Sequence, residues 1–323
     1  MLAPYQDQIA TLTRINIQDM VDNFGLSGLR YGRRVIERAF WSPAHIFARQ
    51  MAQFDRRIGE IGLAAAAHEL LLRYVNRVEI IGAENVSRTG GVVLAANHPG
   101  MMDTLACFST IPRTDLHIVS ADREFVRALP NIARRSFWVS DDLRERLTVV
   151  RQVSRFLQTD GAVLICPAGQ IEPDPATMPG AIESLTRWSD SLGMFVRLAP
   201  QCVVVPTVIS SVVYAPALHN PLARLRRDQK SRERAAATIQ AFLHTIGYLR
   251  SRMRVRIEFG APLSAADLIE LGNAAAITKA ISESVKQLIL RHGGLGSQPS
   301  NGVGAITVGQ IGNLPLHLPG GLQ

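Results

Sequence analysis

From Arg77 to Phe259, short apolar runs alternate with stretches of helical period. Arg77–Ile81, Gly91–Ala96, Leu116–Ser120, Ala162–Cys166, Cys202–Ile209 and Arg254–Phe259 are β-branched or apolar, are bounded by turn residues, and read as strands. Between them, Asp103–Thr110, Asp142–Thr159, Gly180–Leu192 and Ser231–Arg250 carry the three- and four-residue spacing of helices. Strands that are apolar at nearly every position are covered on both faces. The pattern therefore predicts an α/β fold, a mostly buried mixed sheet flanked by helices.

The first 76 residues carry no strand signal and predict an N-terminal helical extension. Tyr31–Phe40 mixes Val35, Ile36, Ala39 and Phe40 with Arg33, Arg34 and Arg38, and Pro43 predicts a break shortly afterwards. A second run, Ile46–Tyr74, places Phe47, Met51, Phe54, Ile58, Ile61, Leu70 and Leu71 at helical spacing. Arginines beside large apolar residues suit a helix lying in a lipid headgroup layer. A helix packed on the core shows the same pattern, so both readings stay open. Residues 264–292 read as a further helical segment, and 293–323, rich in Gly, Pro, Ser and Asn, as a loose tail. The expected divisions are thus 1–76, 77–263, 264–292 and 293–323.

Composition narrows the class. Apolar residues are 47% of the 323 and charged residues 19%, enough for a substantial core. The net charge of +8 rests on arginine, since the lysines are Lys230, Lys279 and Lys286 alone. A basic chain attracts polyanions. With no zinc-finger spacing and no stacking motif, nucleic acid is an unsuited partner, which leaves membrane surface and phosphorylated ligands. Cys107, Cys166 and Cys202 show no paired spacing and read as free thiols of a reducing compartment. Residues 1–18 show no signal-peptide pattern, and the apolar stretches Ile61–Leu72 and Cys202–Val213 are too short to span a bilayer. The expectation is a cytoplasmic protein, peripheral on the inner face of the membrane. No cluster of His, Cys and carboxylates has ligand spacing, so neither metal nor cofactor is expected.

The stretch that carries chemistry is Gly91-Val-Val-Leu-Ala-Ala-Asn-His-Pro-Gly-Met-Met-Asp-Thr. An apolar strand runs into Asn97-His98, a Pro99-Gly100 turn follows, and a helix begins near Asp103. His98 then lies at the carboxyl end of a buried strand, where open α/β sheets build ligand sites. A carboxylate on one ring nitrogen fixes the tautomer and leaves the other nitrogen free to take a proton. Asp103 could serve that way, or simply cap the helix.

This segment resembles the first motif of the glycerolipid acyltransferases, the glycerol-3-phosphate and lysophosphatidic acid acyltransferases: Asn-His, four residues, Asp, directly after an apolar strand. Three later segments continue the resemblance in order. Ala162-Val-Leu-Ile-Cys-Pro-Ala-Gly-Gln looks like the family's strand ending in Phe-Pro-Glu-Gly-Thr. Val203-Val-Val-Pro-Thr-Val-Ile is similar to its strand with a central proline, and Arg256-Ile-Glu-Phe-Gly-Ala-Pro-Leu to its closing strand. By that resemblance 77–263 is an acyltransferase-like catalytic domain, His98 its general base and Asp103 the partner that orients it. The family's phosphate-holding arginine corresponds to Arg123 or Arg127. Pro167 and Gly169 keep the third motif and are expected at the substrate, whereas Ala168 replaces its glutamate and Gln170 its threonine; Glu172 is a candidate to supply that substrate-binding carboxylate from a shifted position, although it reads more readily as a residue of a solvated loop. The implied reaction moves a fatty acyl group from coenzyme A or acyl carrier protein to a hydroxyl of a lipid or lipid precursor. Two other readings are a catalytically silent lipid-binding protein of the same fold and a thioesterase using water.

Overall fold

The computed structural model describes residues 2–28, 31–140, 142–226 and 228–294. The tail expected from 293 onward therefore lies almost wholly outside the described residues. Three helices come first: α1 (Leu2–Asn23), α2 (Arg33–Ile61) and α3 (Leu63–Tyr74). The sheet then alternates with helices: β1 (Arg77–Ile81), β2 (Val92–Ala96), α4 (Met101–Thr110), β3 (His117–Ala121), α5 (Glu124–Arg127), α6 (Pro130–Ala133), β4 (Ser136–Val139), α7 (Leu143–Gln158) and β5 (Ala162–Ile165). After α8 (Ala181–Ser184) and α9 (Ser191–Leu198) comes the long strand β6 (Val203–Ser210). The turns α10 (Ala215–Leu218) and α11 (Pro221–Arg224) lead to α12 (Gln229–Thr245). The described chain closes with β7 (Arg254–Phe259), β8 (Leu263–Ser264), α13 (Ala265–Ile269) and α14 (Ala274–Gly294).

The strands form one mixed sheet in the order β1-β7-β6-β2-β5-β3-β4, with β8 pairing β6. β2, at the centre, is parallel to β5 and to β6, in register Leu94 with Leu164 and with Val205. β7 is antiparallel to β6 and parallel to β1. Alternation along β2 divides the core between two faces: Val92, Leu94 and Ala96 pack under α1–α4, while Val93 and Ala95 pack under α7, α9 and α14. All five residues are buried, as the unbroken apolar run requires.

Several local expectations fail. Gly180–Leu192 is not one helix: the turns Ala181–Ser184 and Leu185–Arg187 end at Trp188, which is extended, and α9 starts afresh at Ser191. The helix expected over Ser231–Arg250 stops at Thr245. α2 does not break at Pro43 but runs through it. Proline removes the donor to Ala39 O, yet Ala39 and its neighbours Trp41 and Ser42 are exposed, so the missing bond falls on the solvent side of the helix, where its cost is small. The boundary falls instead at Gly62, φ +85°, which divides the expected Ile46–Tyr74 run into α2 and α3. The edge strand β4, four residues paired only to β3, carried too short an apolar run to be read beforehand.

The N-terminal helices belong to the core. Ile9, Leu12, Ile15 and Val21 of α1 are each under 7% exposed, and α2 buries Ala48, Met51, Phe54 and Ile58. Packing on the core thus accounts for one face of each helix. Among the described residues, no helix is long and apolar enough to cross a membrane.

Candidate active site

Asn97 follows β2 directly, and its amide extends the ladder with β6. Nδ2 donates to Ile209 O at 2.9 Å, and the Ile209 N–H donates to Oδ1 at 2.7 Å. The side chain therefore acts as one more strand residue and fixes where the chain leaves the sheet. His98 comes next, at the carboxyl edge shared by β2, β5 and β6.

The His98 ring is aligned from the side by Asp103. Nδ1 lies 2.8 Å from Asp103 Oδ2, and because an ionised carboxylate can only accept, Nδ1 carries the proton and Nε2 is left as acceptor. The same oxygen accepts from the Gly100 N–H at 2.9 Å, while Oδ1 accepts from the Thr104 hydroxyl at 2.9 Å and from the Thr104 N–H. Asp103 is 1% exposed. It is not the N-cap expected as the alternative: that position is Gly100, and Asp103 is the third residue of α4 because the helix starts at Met101. Its carboxylate ties that helix start to the imidazole. Its charge raises the His98 pKa above the ordinary value of 6.5, against the opposing effect of burial.

The main chain of His98 is gripped by Glu172. Its N–H donates to Glu172 Oε2 at 3.0 Å, and the Glu172 N–H donates back to His98 O at 2.8 Å. Oε1 accepts from the Ser184 hydroxyl at 2.9 Å and from Trp188 Nε1 at 3.1 Å. Glu172 is 1% exposed, not the solvated loop residue expected from the sequence, and burial pushes its carboxyl above the usual range. The reason is the turn after β5, which folds under the His98 loop instead of into solvent. Two residues on, buried Asp174 accepts three successive backbone amides, from Ser211 at 3.0 Å, Val212 at 2.8 Å and Val213 at 2.9 Å. Ser211 sits at φ +61° to complete this nest. The segment Glu172–Asp174 thereby ties the ends of β2, β5 and β6 into one rigid platform.

A cavity of about 1230 Å³ opens over that platform, larger than most small-molecule pockets. His98, Gly169, Gln170 and Glu172 lie on its wall beside Phe108, Ile118, Val126 and Ile132, so a catalytic edge adjoins an apolar surface. Gly169, at φ +63°, makes the turn and its N–H donates to Cys166 O at 3.0 Å. Pro167 is buried, and its carbonyl accepts from the Ser189 N–H at 3.0 Å.

The two expected phosphate-binding arginines part company. Arg123 lines the cavity. Arg127 is absent from the cavity wall: it forks onto Asp122, with one contact at 2.6 Å, and lies 5.1 Å over the Trp138 ring. Two arginines unmarked by any sequence motif, Arg187 and Arg234, line the cavity instead. Arg187 stands next to Trp188, the donor to Glu172, and so is carried by the same brace that holds His98. Among the described residues, no group of three His, Cys, Asp or Glu side chains could hold a metal ion.

Residues 77–210 match the family model described as Acyltransferase. The crystal structure of PlsC, the 1-acyl-sn-glycerophosphate (LPA) acyltransferase of Thermotoga maritima, is similar at 15% identity and a TM-score of 0.46, over 88% of this chain and 100% of that one. No curated protein matches the sequence. The family match runs from β1 to the end of β6 and includes Asn97, His98, Asp103, Glu172 and Asp174. Residues 77–210 are therefore similar to the acyltransferase family over about two fifths of the chain, the stretch that carries His98 and Asp103.

Proposed function

We propose that this domain moves a fatty acyl group from an acyl thioester, of coenzyme A or an acyl carrier protein, to a hydroxyl of a lipid or lipid precursor. The observation that carries the reading is the 2.8 Å contact between His98 Nδ1 and buried Asp103, on the wall of a large, partly apolar cavity. The acceptor hydroxyl lies against His98 Nε2 and gives up its proton as its oxygen attacks the thioester carbonyl. The tetrahedral oxyanion collapses, the C–S bond breaks, and the imidazolium returns the proton to the departing thiolate. Asp103 stabilises the imidazolium between those steps. The Gly169 amide is committed to Cys166, so the oxyanion falls to the neighbouring Gln170 amide; such donors contribute about 3–4 kcal/mol. Arg123, Arg187 and Arg234 supply guanidinium groups for an acidic acceptor. Ala168 leaves no carboxylate at the position of the family's acceptor-binding glutamate, which favours an acceptor other than glycerol 3-phosphate or its monoacyl derivative.

The test is transfer of labelled palmitate from coenzyme A or acyl carrier protein into a total lipid extract. A labelled lipid is the expected product, and its identity names the acceptor. Release of free palmitate without an acceptor would point to thioester hydrolysis. No product from folded protein would move the assignment to lipid binding without turnover.

A further inference from the structure

The cavity over His98 has a polar wall that proton transfer does not use. Asn16, Asp19, Met20 and Asn23 of α1 line it at three- and four-residue spacing, so one face of that helix looks into the cavity. Hydrogen bonds fix which way both amides point. Asn16 Nδ2 donates to Ala44 O of α2 at 3.3 Å; a carbonyl can only accept, so Asn16 Oδ1 is left over. Asn23 Nδ2 donates to Thr238 Oγ1 of α12 at 3.1 Å. The Thr238 hydroxyl gives its own proton to Arg234 O at 3.0 Å and so can only accept from Asn23, whose Oδ1 is left over in turn. Each amide thus pins α1 to a neighbouring helix through its nitrogen and keeps its oxygen. Asn16 is 8% exposed, which makes its oxygen a buried acceptor without a donor.

Asp19 stands between the two, three residues from one and four from the other. Its carboxylate makes no hydrogen bond or ion pair among the described residues. The surrounding protein desolvates it, and Asp22 and Glu124 add to that effect against the pull of Arg123, so its pKa lies above the usual carboxylate value. A bound cation would relieve all of this. Elsewhere the cavity wall is of mixed charge, with Arg123, Arg187 and Arg234 beside Glu233. A headgroup bearing phosphate alone satisfies the arginines and leaves the oxygens of α1 without donors.

We propose that the acceptor is an amphiphile whose headgroup joins an anionic group to a primary ammonium, and that the Asn16–Asp19–Asn23 row of α1 holds the ammonium. Such a group has three N–H donors and no acceptor, which matches a row of oxygens carrying one charge. The arginines take the anionic group. The inference rests on the acyl-transfer reading and narrows its acceptor. It assigns headgroup selection to α1, which lies before the matched residues 77–210.

The test is acyl transfer from labelled palmitoyl thioester to three lysolipids in detergent micelles: lysophosphatidylethanolamine, its N-acetyl derivative and lysophosphatidic acid. Wild type should use the free amine with kcat/KM about tenfold or more above the other two, the size expected of a hydrogen-bonded charge. Asp19→Asn, checked for folding by thermal melting, should lose that preference through a higher KM for the amine, and Asp19→Lys should reverse it. Asp7→Asn removes an exposed acid of the same helix outside the cavity wall and should keep the preference. Equal or better use of the N-acetyl derivative or of lysophosphatidic acid by wild type, or an undiminished preference in folded Asp19→Asn, would overturn the proposal. Failure of the underlying reading is a different result, no transfer to any component of the total lipid extract, and would remove the proposal with it.

Discussion

His98 is set by three residues with distinct tasks. Asn97 fixes where the chain leaves β2, Glu172 holds the His98 main chain, and Asp103 aligns the ring. The His98–Asp103 pair was legible in the sequence because strand, turn and helix start are local and contiguous, whereas the Asn97 amide bonds to Ile209, 112 positions away, and was not. Glu172 was not legible in this role, since its grip on His98 spans 74 positions and depends on how the turn after β5 folds back. The raised His98 pKa has opposite consequences for stability and activity. The charged ring beside Asp103 stabilises the fold fully below the ordinary pKa of 6.5, and that contribution is lost as pH rises through the higher folded value. The proposed base is active only when neutral, so the acidic limb of kcat/KM should fall above pH 6.5. Asp103→Asn should move that limb downward and cost about 10⁴-fold in rate, by the behaviour of other oriented histidines. An unmoved limb with near-normal rate would leave Asp103 as a brace of the helix start alone.

At the scale of elements, the site depends on loops that lock to one another across the carboxyl edge of the sheet. Strand positions followed from apolar runs because β2, β5 and β6 are covered on both faces, and all six expected strands match to within one residue at each end. What the runs could not show is Asp174, whose partners Ser211–Val213 lie some forty positions on and are backbone amides without a side-chain signature. Removing it leaves buried donors unsatisfied and frees the end of β6 from the turn after β5. Asp174→Ala should therefore destabilise the protein by about 3 kcal/mol, read from urea denaturation. A midpoint unchanged from wild type would show that water or another group replaces the carboxylate.

At the scale of the molecule, the helices before the sheet are structural partners of the domain as well as its covering. α2 holds the start of α6 through Asp55, which accepts the Asn131 and Ile132 amides at 2.9 and 3.0 Å, and Phe47 stacks on Phe125 with centroids 6.0 Å apart. α1 adds a bond from Gln8 Nε2 to Ala128 O at 2.9 Å and an ion pair from Arg14 to Glu124. Amphipathic period alone could not separate packing from lipid contact, because the two differ in what meets the apolar stripe and not in the stripe. The cavity is likewise a product of the whole chain, walled by α1, α2, α12 and the loops after β2, β3, β5 and β6. All of this serves one chemical claim, that His98 removes the acceptor's proton. The most direct measurement is acyl transfer by His98→Ala against wild type, under saturating thioester and acceptor, with folding of the variant verified by thermal melting. Loss of transfer with thioester binding retained is the predicted result; wild-type turnover by the folded variant would contradict it.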